Sequence, residues 1–369
     1  MKEDQIATFV PAGASPGSAR IPVLGVVIVS YNSGPSLLEC LESLIASTGV
    51  TLHIVVVDNA STDDSVARLR AWASGAEPWA NPGDLPFALA QAPKPVRLIE
   101  ADAPLPAAPA PAITLLHAGI NGGYAAGVNA GLASLARTEG IGRFWILNPD
   151  SAVPAGTPRS FATFQPPCGA FSLMGGRVNY LETPDVIQID GGIVNWKTGM
   201  TINVNQGASH RASLPPDPAK MDFITGASMV VSREFYEAAG PMTEDYFLYY
   251  EEVDWAMKRG DLPLAYCAEG LVYHRAGTSI GSPTLDRIAS PLSLYFKHRN
   301  RLRFLMRHRR RSILTAHLFT LAKSLQTLLK GYRHEAWVMF SASFGASPTA
   351  DVASRVSPQA LGRAFGTGG

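Results

Sequence analysis

The sequence predicts an α/β protein built on a doubly wound, Rossmann-like mixed sheet with a C-terminal helical appendage. Three observations carry this. Apolar runs of strand length alternate with helix-length segments through residues 23–147, shorter strand-like segments follow, and from Pro291 onward the chain turns basic and helical. Continuous rather than alternating apolarity means burial on both faces, as in a parallel sheet. Strand–helix–strand repetition at this spacing means βαβ units.

Residues 1–20 are rich in Pro, Gly, Ala and Ser and read as disordered. Order begins with the strand VLGVVIVS, Val23 to Ser30, and Gly34 with Pro35 opens a helix, Pro being tolerated where its missing N–H costs nothing. HIVVVD, ending at Asp58, is a second buried strand, and a helix follows over Ser65 to Ala73. Residues 75–111 are dense in Ala and Pro and read as an insertion, with a short edge strand over Val96 to Ile99. The alternation resumes with ITLLH (Ile113 to His117), a Gly-rich turn, a helix through Leu132, and the strand FWIL, Phe144 to Leu147. Beyond Asp150, SLMGGRVNY, DVIQIDGGIVNW and TGASMVVS read as strands of a mixed sheet. A helix is expected over Val253 to Arg259, and short strands near Leu264 and Val272. These readings divide the chain into a catalytic-type domain over 21–285, a basic amphipathic helical region over 286–345 and a flexible tail over 346–369.

Hydrophobic residues make up 46% and charged residues 17% of the 369, which excludes a disordered chain. A net charge of +1 argues against a protein built to bind nucleic acid. Cys40, Cys168 and Cys267 stand far apart without a CxxC pair, so neither a disulfide framework nor a zinc ribbon is expected, and a reducing cytoplasm is the simplest setting. The N-terminus has no apolar h-region, and no apolar run reaches the roughly 18 to 20 residues of a spanning helix.

In open α/β sheets, ligands sit outside the carboxyl ends of the strands. Three such ends here are polar: Tyr31 and Asn32, Asp58 and Asn59, Asn148 and Asp150. One carboxylate at a strand end can simply cap the next helix; three polar ends in succession point to a ligand. At these residues the sequence resembles the inverting family-2 glycosyltransferases of GT-A fold, most closely their rhamnosyltransferase-like branch. The resemblance spans about Val23 to Gly281 and includes VSYN, VVDNAS, NGGYAAGVNAGL, LNPD, GASMVVS, FLYYEEVDW and VYHRAGTS, in the family's order.

That resemblance implies a nucleoside-diphosphate sugar donor, UDP- or dTDP-linked, with rhamnose the leading sugar and a glycan or lipid-linked hydroxyl as acceptor. Asp58 would accept from the N3–H of uracil or thymine, as a carboxylate carries no competing donor, with Tyr31, Asn32 and Asn59 beside it. Asn121, Gly123 and Asn129 belong to the Gly-rich turn and the helix it opens, where backbone can approach a ligand closely; a plain tight turn is the alternative. Asp150 matches the last position of the family's metal motif, whose first position is here Asn148. His274 matches a late metal ligand of some relatives, though a lone His is often structural. Mg²⁺ or Mn²⁺, which take oxygen ligands, would neutralise the diphosphate leaving group.

The acidic cluster YYEEVDW is the expected reaction centre. Inversion by direct displacement needs one general base, and the resemblance maps it onto Glu252, where most relatives carry Asp; Glu251 is the alternative and Asp254 would orient a neighbour or contact acceptor. Three acids also suit the first turn of any helix. Trp255 would stack on acceptor or pack in the core, and Gly226, Ala227 and Ser228 would border the acceptor site. A catalytically silent nucleotide-sugar binder or assembly subunit is the alternative from another class, kept open by Asn148 and by Glu at 252. A sugar-1-phosphate nucleotidyltransferase would need a basic Gly-rich loop after the first strand, where SYNSGPS stands.

Between Lys297 and Arg311 there are eight Lys or Arg, and no Asp or Glu lies between Arg287 and His334. Leu314, Leu318, Leu321, Leu325 and Leu328 then recur at spacings of four and three, one apolar stripe on a helix. A basic stretch leading into such a stripe reads as a monotopic helix on an anionic membrane surface, placing the protein peripherally on the inner face of the cytoplasmic membrane. Packing of the stripe against the domain, with the arginines solvated, is the competing reading.

Overall fold

The computed structural model describes residues 21–167, 169–275, 289–356 and 362. The expectations for residues 1–20, for Cys168, for the end of VYHRAGTS and for the boundary at 285 lie outside the described residues.

The first half runs β1 (Val23–Ser30), α1 (Gly34–Ile45), β2 (Thr51–Asp58), α2 (Ser65–Ser74), β3 (Leu98–Ala101), β4 (Ile113–His117), α3 (Tyr124–Ala136) and β5 (Arg143–Leu147). Next come β6 (Ser151–Ala152), α4 (Thr157–Thr163), β7 (Leu173–Tyr180), β8 (Ile187–Ile189), β9 (Gly192–Val194), β10 (Thr201–Asn203), β11 (Ser228–Ser232), α5 (Arg233–Ala239), α6 (Glu251–Ala256) and β12 (Ala265–His274). The chain closes with α7 (Pro291–His308), α8 (Ile313–Leu329), α9 (Arg333–Ser343) and α10 (Ala350–Ala353). One ten-stranded mixed sheet has the order β3-β4-β2-β1-β5-β11-β7-β12-β6, with β8 on β7, while β9 and β10 form a separate pair. β1, β2, β4 and β5 pair in parallel, and β11 inserts antiparallel beside β5.

The continuous apolar runs are buried on both faces, as their composition requires. Leu24, Val26 and Ile28 enter one core layer with α1 and α2, while Val27 and Val29 enter the other with α3. Helix α3 approaches β1 so closely that a Cβ at Gly127 or Gly131 would fall 2.6 Å from Val29 or 2.4 Å from Val27. The Ala/Pro insertion is anchored by a buried carboxylate: Glu42 of α1 accepts from Trp72 Nε1 at 2.7 Å, from the Ala92 amide at 2.7 Å and from Lys94 at 2.8 Å.

Four element boundaries differ from expectation. The edge strand begins at Leu98 rather than Val96, because the Val96 amide bonds Ala73 O and pairing with β4 starts at Leu98. The helix placed over Val253 to Arg259 starts at Glu251, directly after Tyr250 in a left-handed conformation, and ends at Ala256. The two short strands near Leu264 and Val272 are one strand, β12, irregular between Tyr266 and Leu271 where it pairs β7. The stretch read as a flexible tail from 346 is ordered through 356, with Val352 and Val356 buried beside Leu292 and Phe247.

The helical appendage also departs from a single basic face. Arg299 and Arg301 are buried in α7, and Arg303 and Arg307 bind Asp245, leaving Arg310 and Arg311 exposed. Helix α8 turns Ala316, Thr320 and Ser324 inward, with Arg301 donating to Ala316 O and the Thr320 hydroxyl, and leaves its leucine stripe in solvent.

Candidate active site

After β1 the chain builds β2 and β4 on one side of it, then returns to build β5 on the other, so the strand order reverses at the carboxyl ends of β1 and β5. A cavity of about 410 Å³ opens there, lined by Tyr31, Asn32, Asn59, Asn121, Gly123, Asn148, Asp150 and His274 among others. Of the polar strand-end residues, Tyr31, Asn32, Asn59, Asn148 and Asp150 line it together. Asn32, at φ 51°, ties the β1 end to the loop after β2: its Oδ1 accepts from Thr62 N at 2.8 Å, and its own amide donates to Ser61 Oγ. Asn59 Nδ2 donates to Asn121 Oδ1 at 3.0 Å and to Gly123 O at 3.1 Å, fixing the Gly-rich turn against β2. Asp58 is buried at the end of β2 but does not line the cavity. It accepts from Ser61 N at 3.2 Å and stands 4.0 Å from His117, which pairs with Glu100 at 2.8 Å.

Asp150 and His274, 124 residues apart, are brought together: Asp150 Oδ1 lies 3.0 Å from His274 Nε2. His274 Nδ1 meets Gln188 Oε1 at 2.9 Å, and Asn148 Nδ2 meets Nε2 at 3.2 Å. A ring that donates through Nδ1 to Gln188 points the lone pair of Nε2 toward Asp150. That contact needs a positive charge between the two. Burial opposes a proton on His274, and the Asp150 carboxylate outweighs it, so the His274 pKa is raised. Adjacent ligands of an octahedral ion with bonds of about 2.1 Å stand about 3.0 Å apart, so this pair fits a divalent ion. Among the described residues no group of three or more His, Cys, Asp or Glu surrounds such a position, so a cation here would complete its shell largely from ligand and water oxygens.

Another part of the lining is Phe247 and Leu248, in the segment Phe247–Tyr250 that leads into α6. Phe247, Tyr249 and Tyr250 all have positive φ, at 63°, 68° and 75°. For non-glycine residues this costs about 1–3 kcal/mol each and persists only where surroundings enforce it. Asn300 of α7 enforces it: its buried Nδ2 lies within bonding distance of the carbonyls of Tyr246, Leu248 and Tyr249, at 2.8, 2.7 and 3.1 Å. Phe247 O in turn accepts from Tyr124 N at 2.8 Å, and a Cβ on Gly123 would strike that carbonyl at 2.4 Å, so only glycine lets the two walls touch.

Glu251 is 3% exposed and its Oε2 has no hydrogen-bond partner. Burial, with the Glu252 carboxyl beside it, holds the Glu251 pKa well above the usual carboxylate range. Glu252 is half-buried; burial raises its pKa, while helix N–H groups and Lys297 pull it down. Lys297, counted in the sequence among the basic surface residues, instead sits 4.7 Å over the Tyr249 ring, its pKa lowered by burial to about 8.

Four expected site residues are placed elsewhere. Asp254 does not line the cavity: it bonds Tyr246, Thr243 and His308, and buttresses α7. Trp255 is fully buried against Phe235 and cannot stack on a sugar. Asn129 ties α3 to Met242 and Glu244. Ser228 is spent inside the sheet on Trp145 Nε1 at 3.0 Å. Gly226 and Ala227 sit behind the cavity lining and support it: Gly226 O accepts from Tyr124 OH at 2.6 Å, and Ala227 O from Asn148 N at 3.0 Å. Conversely, Ser354 and Arg355, read as tail, line the cavity, and no motif marks them.

Residues 25–83 match the family model Glycosyl transferase family 2. The chain carries a glycosyl transferase family 2 domain and is a glycosyltransferase. It is 24% identical over 294 residues to an N-acetylglucosaminyl-diphospho-decaprenol L-rhamnosyltransferase of Mycobacterium tuberculosis, a match covering 74% of this chain and 83% of the relative. It is 36% identical over 56 residues to the succinoglycan biosynthesis protein ExoO of Rhizobium meliloti, covering 15% of this chain and 16% of that protein. Among solved structures, GalNAc-T7 with UDP, GalNAc and Mn²⁺ superposes with a TM-score of 0.50 at 13% identity, over 89% of this chain and 57% of that one, and shares the fold.

Proposed function

We propose that this glycosyltransferase moves a sugar, rhamnose first among the candidates, from a UDP- or dTDP-linked donor to a hydroxyl of a lipid-linked glycan, with inversion. The observation that carries this reading is the meeting of Asp150 and His274 at the β5 end, on a cavity also lined by Phe247 and Leu248, the segment that leads into Glu251 and Glu252. Asp150 and His274 would hold Mg²⁺ or Mn²⁺, which when bound offsets charge developing on the leaving diphosphate. Such an ion in the relative structure, and the lipid-linked acceptor in the mycobacterial relative's name, support it. Asp58, at the β2 end just outside the cavity lining, would accept from the N3–H of a pyrimidine that extends past Asn59, and Arg355 lines the cavity with a cation.

Glu252 is the base rather than Glu251. It is the more accessible carboxyl, and Lys297 favours its ionised form, whereas Glu251 is buried and burial pushes its pKa up well above the usual carboxylate range. The acceptor hydroxyl gives its proton to Glu252 as its oxygen bonds the anomeric carbon. The bond from that carbon to the diphosphate oxygen breaks, and the diphosphate leaves with the electron pair.

A thermal-shift screen with UDP-, dTDP-, GDP- and ADP-sugars, with and without Mn²⁺, tests the donor. Pyrimidine donors with metal should raise the melting temperature and ADP-sugars should not. Asp150→Ala should erase the metal-dependent part of the shift and abolish transfer. Activity that survives chelation would remove the metal assignment.

A further inference from the structure

Helix α8 is built inside out for a water-soluble protein. The face it turns to the domain carries Ala316, Thr320 and Ser324, the first two fully buried, while Leu314, Leu318, Leu321, Leu325 and Leu329 are 71%, 58%, 53%, 53% and 80% exposed. Those leucines fall on one stripe at helical spacing. The contact with the domain is polar, through Arg301 to Ala316 O and the Thr320 hydroxyl, so the helix is docked without using its apolar face. Next to α8, α9 exposes Trp337 by 58%, an amphipathic ring of the kind that settles at a membrane–water boundary.

The charge along α8 and on its immediate flanks is all positive. Arg310 and Arg311 are exposed before α8, Lys323 and Lys330 along and after it, and Arg333 at the start of α9. No Asp or Glu occurs between Arg287 and His334. A second copy of the chain is therefore a poor occupant: in a two-fold pairing of the stripe, either arrangement of the helices sets cations against cations with no acid of the segment to answer them. An anionic lipid surface satisfies both features at once, taking the leucines among its acyl chains and the cations at its headgroups. Among the described residues no helix is long and apolar enough to cross a membrane, and α8, at 17 residues, is about 26 Å long.

We infer that α8, flanked by Arg310, Arg311 and Arg333, is a monotopic docking helix that lies in the plane of an anionic membrane surface. This rests on exposure and charge alone and stands whether or not the acceptor is lipid-linked.

The test is co-sedimentation of the full chain with phosphatidylcholine vesicles and with vesicles containing phosphatidylglycerol, at low and high salt, beside its molar mass by light scattering without lipid. The chain should partition onto the anionic vesicles, less so at high salt. Leu318→Ser with Leu325→Ser, and separately Arg310→Glu with Arg311→Glu, should each lower partitioning at least about tenfold while leaving the melting temperature unchanged, because these side chains are exposed in the fold. Equal recovery from neutral and anionic vesicles, or a doubled mass without lipid that the Leu318→Ser, Leu325→Ser variant returns to one chain, would overturn the inference.

Discussion

One wall of the cleft is made of strand ends and the other of a strained loop. On the first, Asn32, Asn59, Asn148 and Asp150 follow strands that are paired in the centre of a sheet. Their positions follow from register, and register follows from which faces are buried. On the second, Phe247, Tyr249 and Tyr250 hold left-handed conformations that no local preference supports, and α7, about 50 residues further on, supplies the clamp. A wall set by the sheet tolerates loss of single contacts, whereas a wall set by one buried amide depends on that amide. The walls should therefore respond differently to substitution.

The largest effect is expected at the carboxylate that follows the strained segment. Glu252→Gln keeps volume and removes basicity, so kcat should fall by about 10² to 10⁴-fold while the donor's thermal shift stays as in the parent. Steady-state kinetics on Glu251→Gln in parallel decide the assignment: turnover preserved in Glu252→Gln and lost in Glu251→Gln would move the base to Glu251.

Next is the clamp itself. Asn300→Ala leaves up to three carbonyls without their donor and should destabilise the fold by about 1–3 kcal/mol. Misplacing the reacting groups by an ångström can cost about 10²-fold, so kcat should drop by about 10- to 100-fold. Donor affinity, set by the other wall, should hold. Equal losses in donor binding and turnover would mean that the two walls are one unit.

The same contrast explains what was legible from sequence. β1, β4 and the strand ends on the first wall were readable because a run such as VLGVVIVS states both its conformation and its burial, and the polar residue after it must then lie at the sheet's edge. Asp150 and His274 were paired from motif positions, and the sheet places them 3.0 Å apart. Asp254, Trp255, Asn129 and Ser228 belong to the same motifs, yet membership in a short helix or strand does not say which way a side chain points. The one-turn α6, entered from a left-handed Tyr250, sends Asp254 toward His308 and Trp255 into the core. Asn300 and Arg355 were invisible because their partners are distant in sequence and nothing local marks them.

The smallest effect expected is on stability against pH, and it probes the strained wall without any substrate. Glu251 is buried with an unpaired Oε2, and burial, then Glu252, raises its pKa above the ordinary 4.5. The folded state thus holds a proton that the unfolded chain releases at lower pH. By linkage, stability falls with rising pH wherever the native state binds more protons. The contribution of Glu251 is fully present below about 4.5 and is lost as pH rises through its raised folded value. Glu251→Gln carries no such proton and relieves Glu252 of its neighbour. Its melting temperature should therefore match the parent near pH 4.5 and rise progressively above it toward neutral and alkaline pH. Melting curves recorded across that window give the answer. Two parallel profiles would mean that Glu251 is ionised and solvated, and that Glu252 does not owe its role as base to a protonated neighbour.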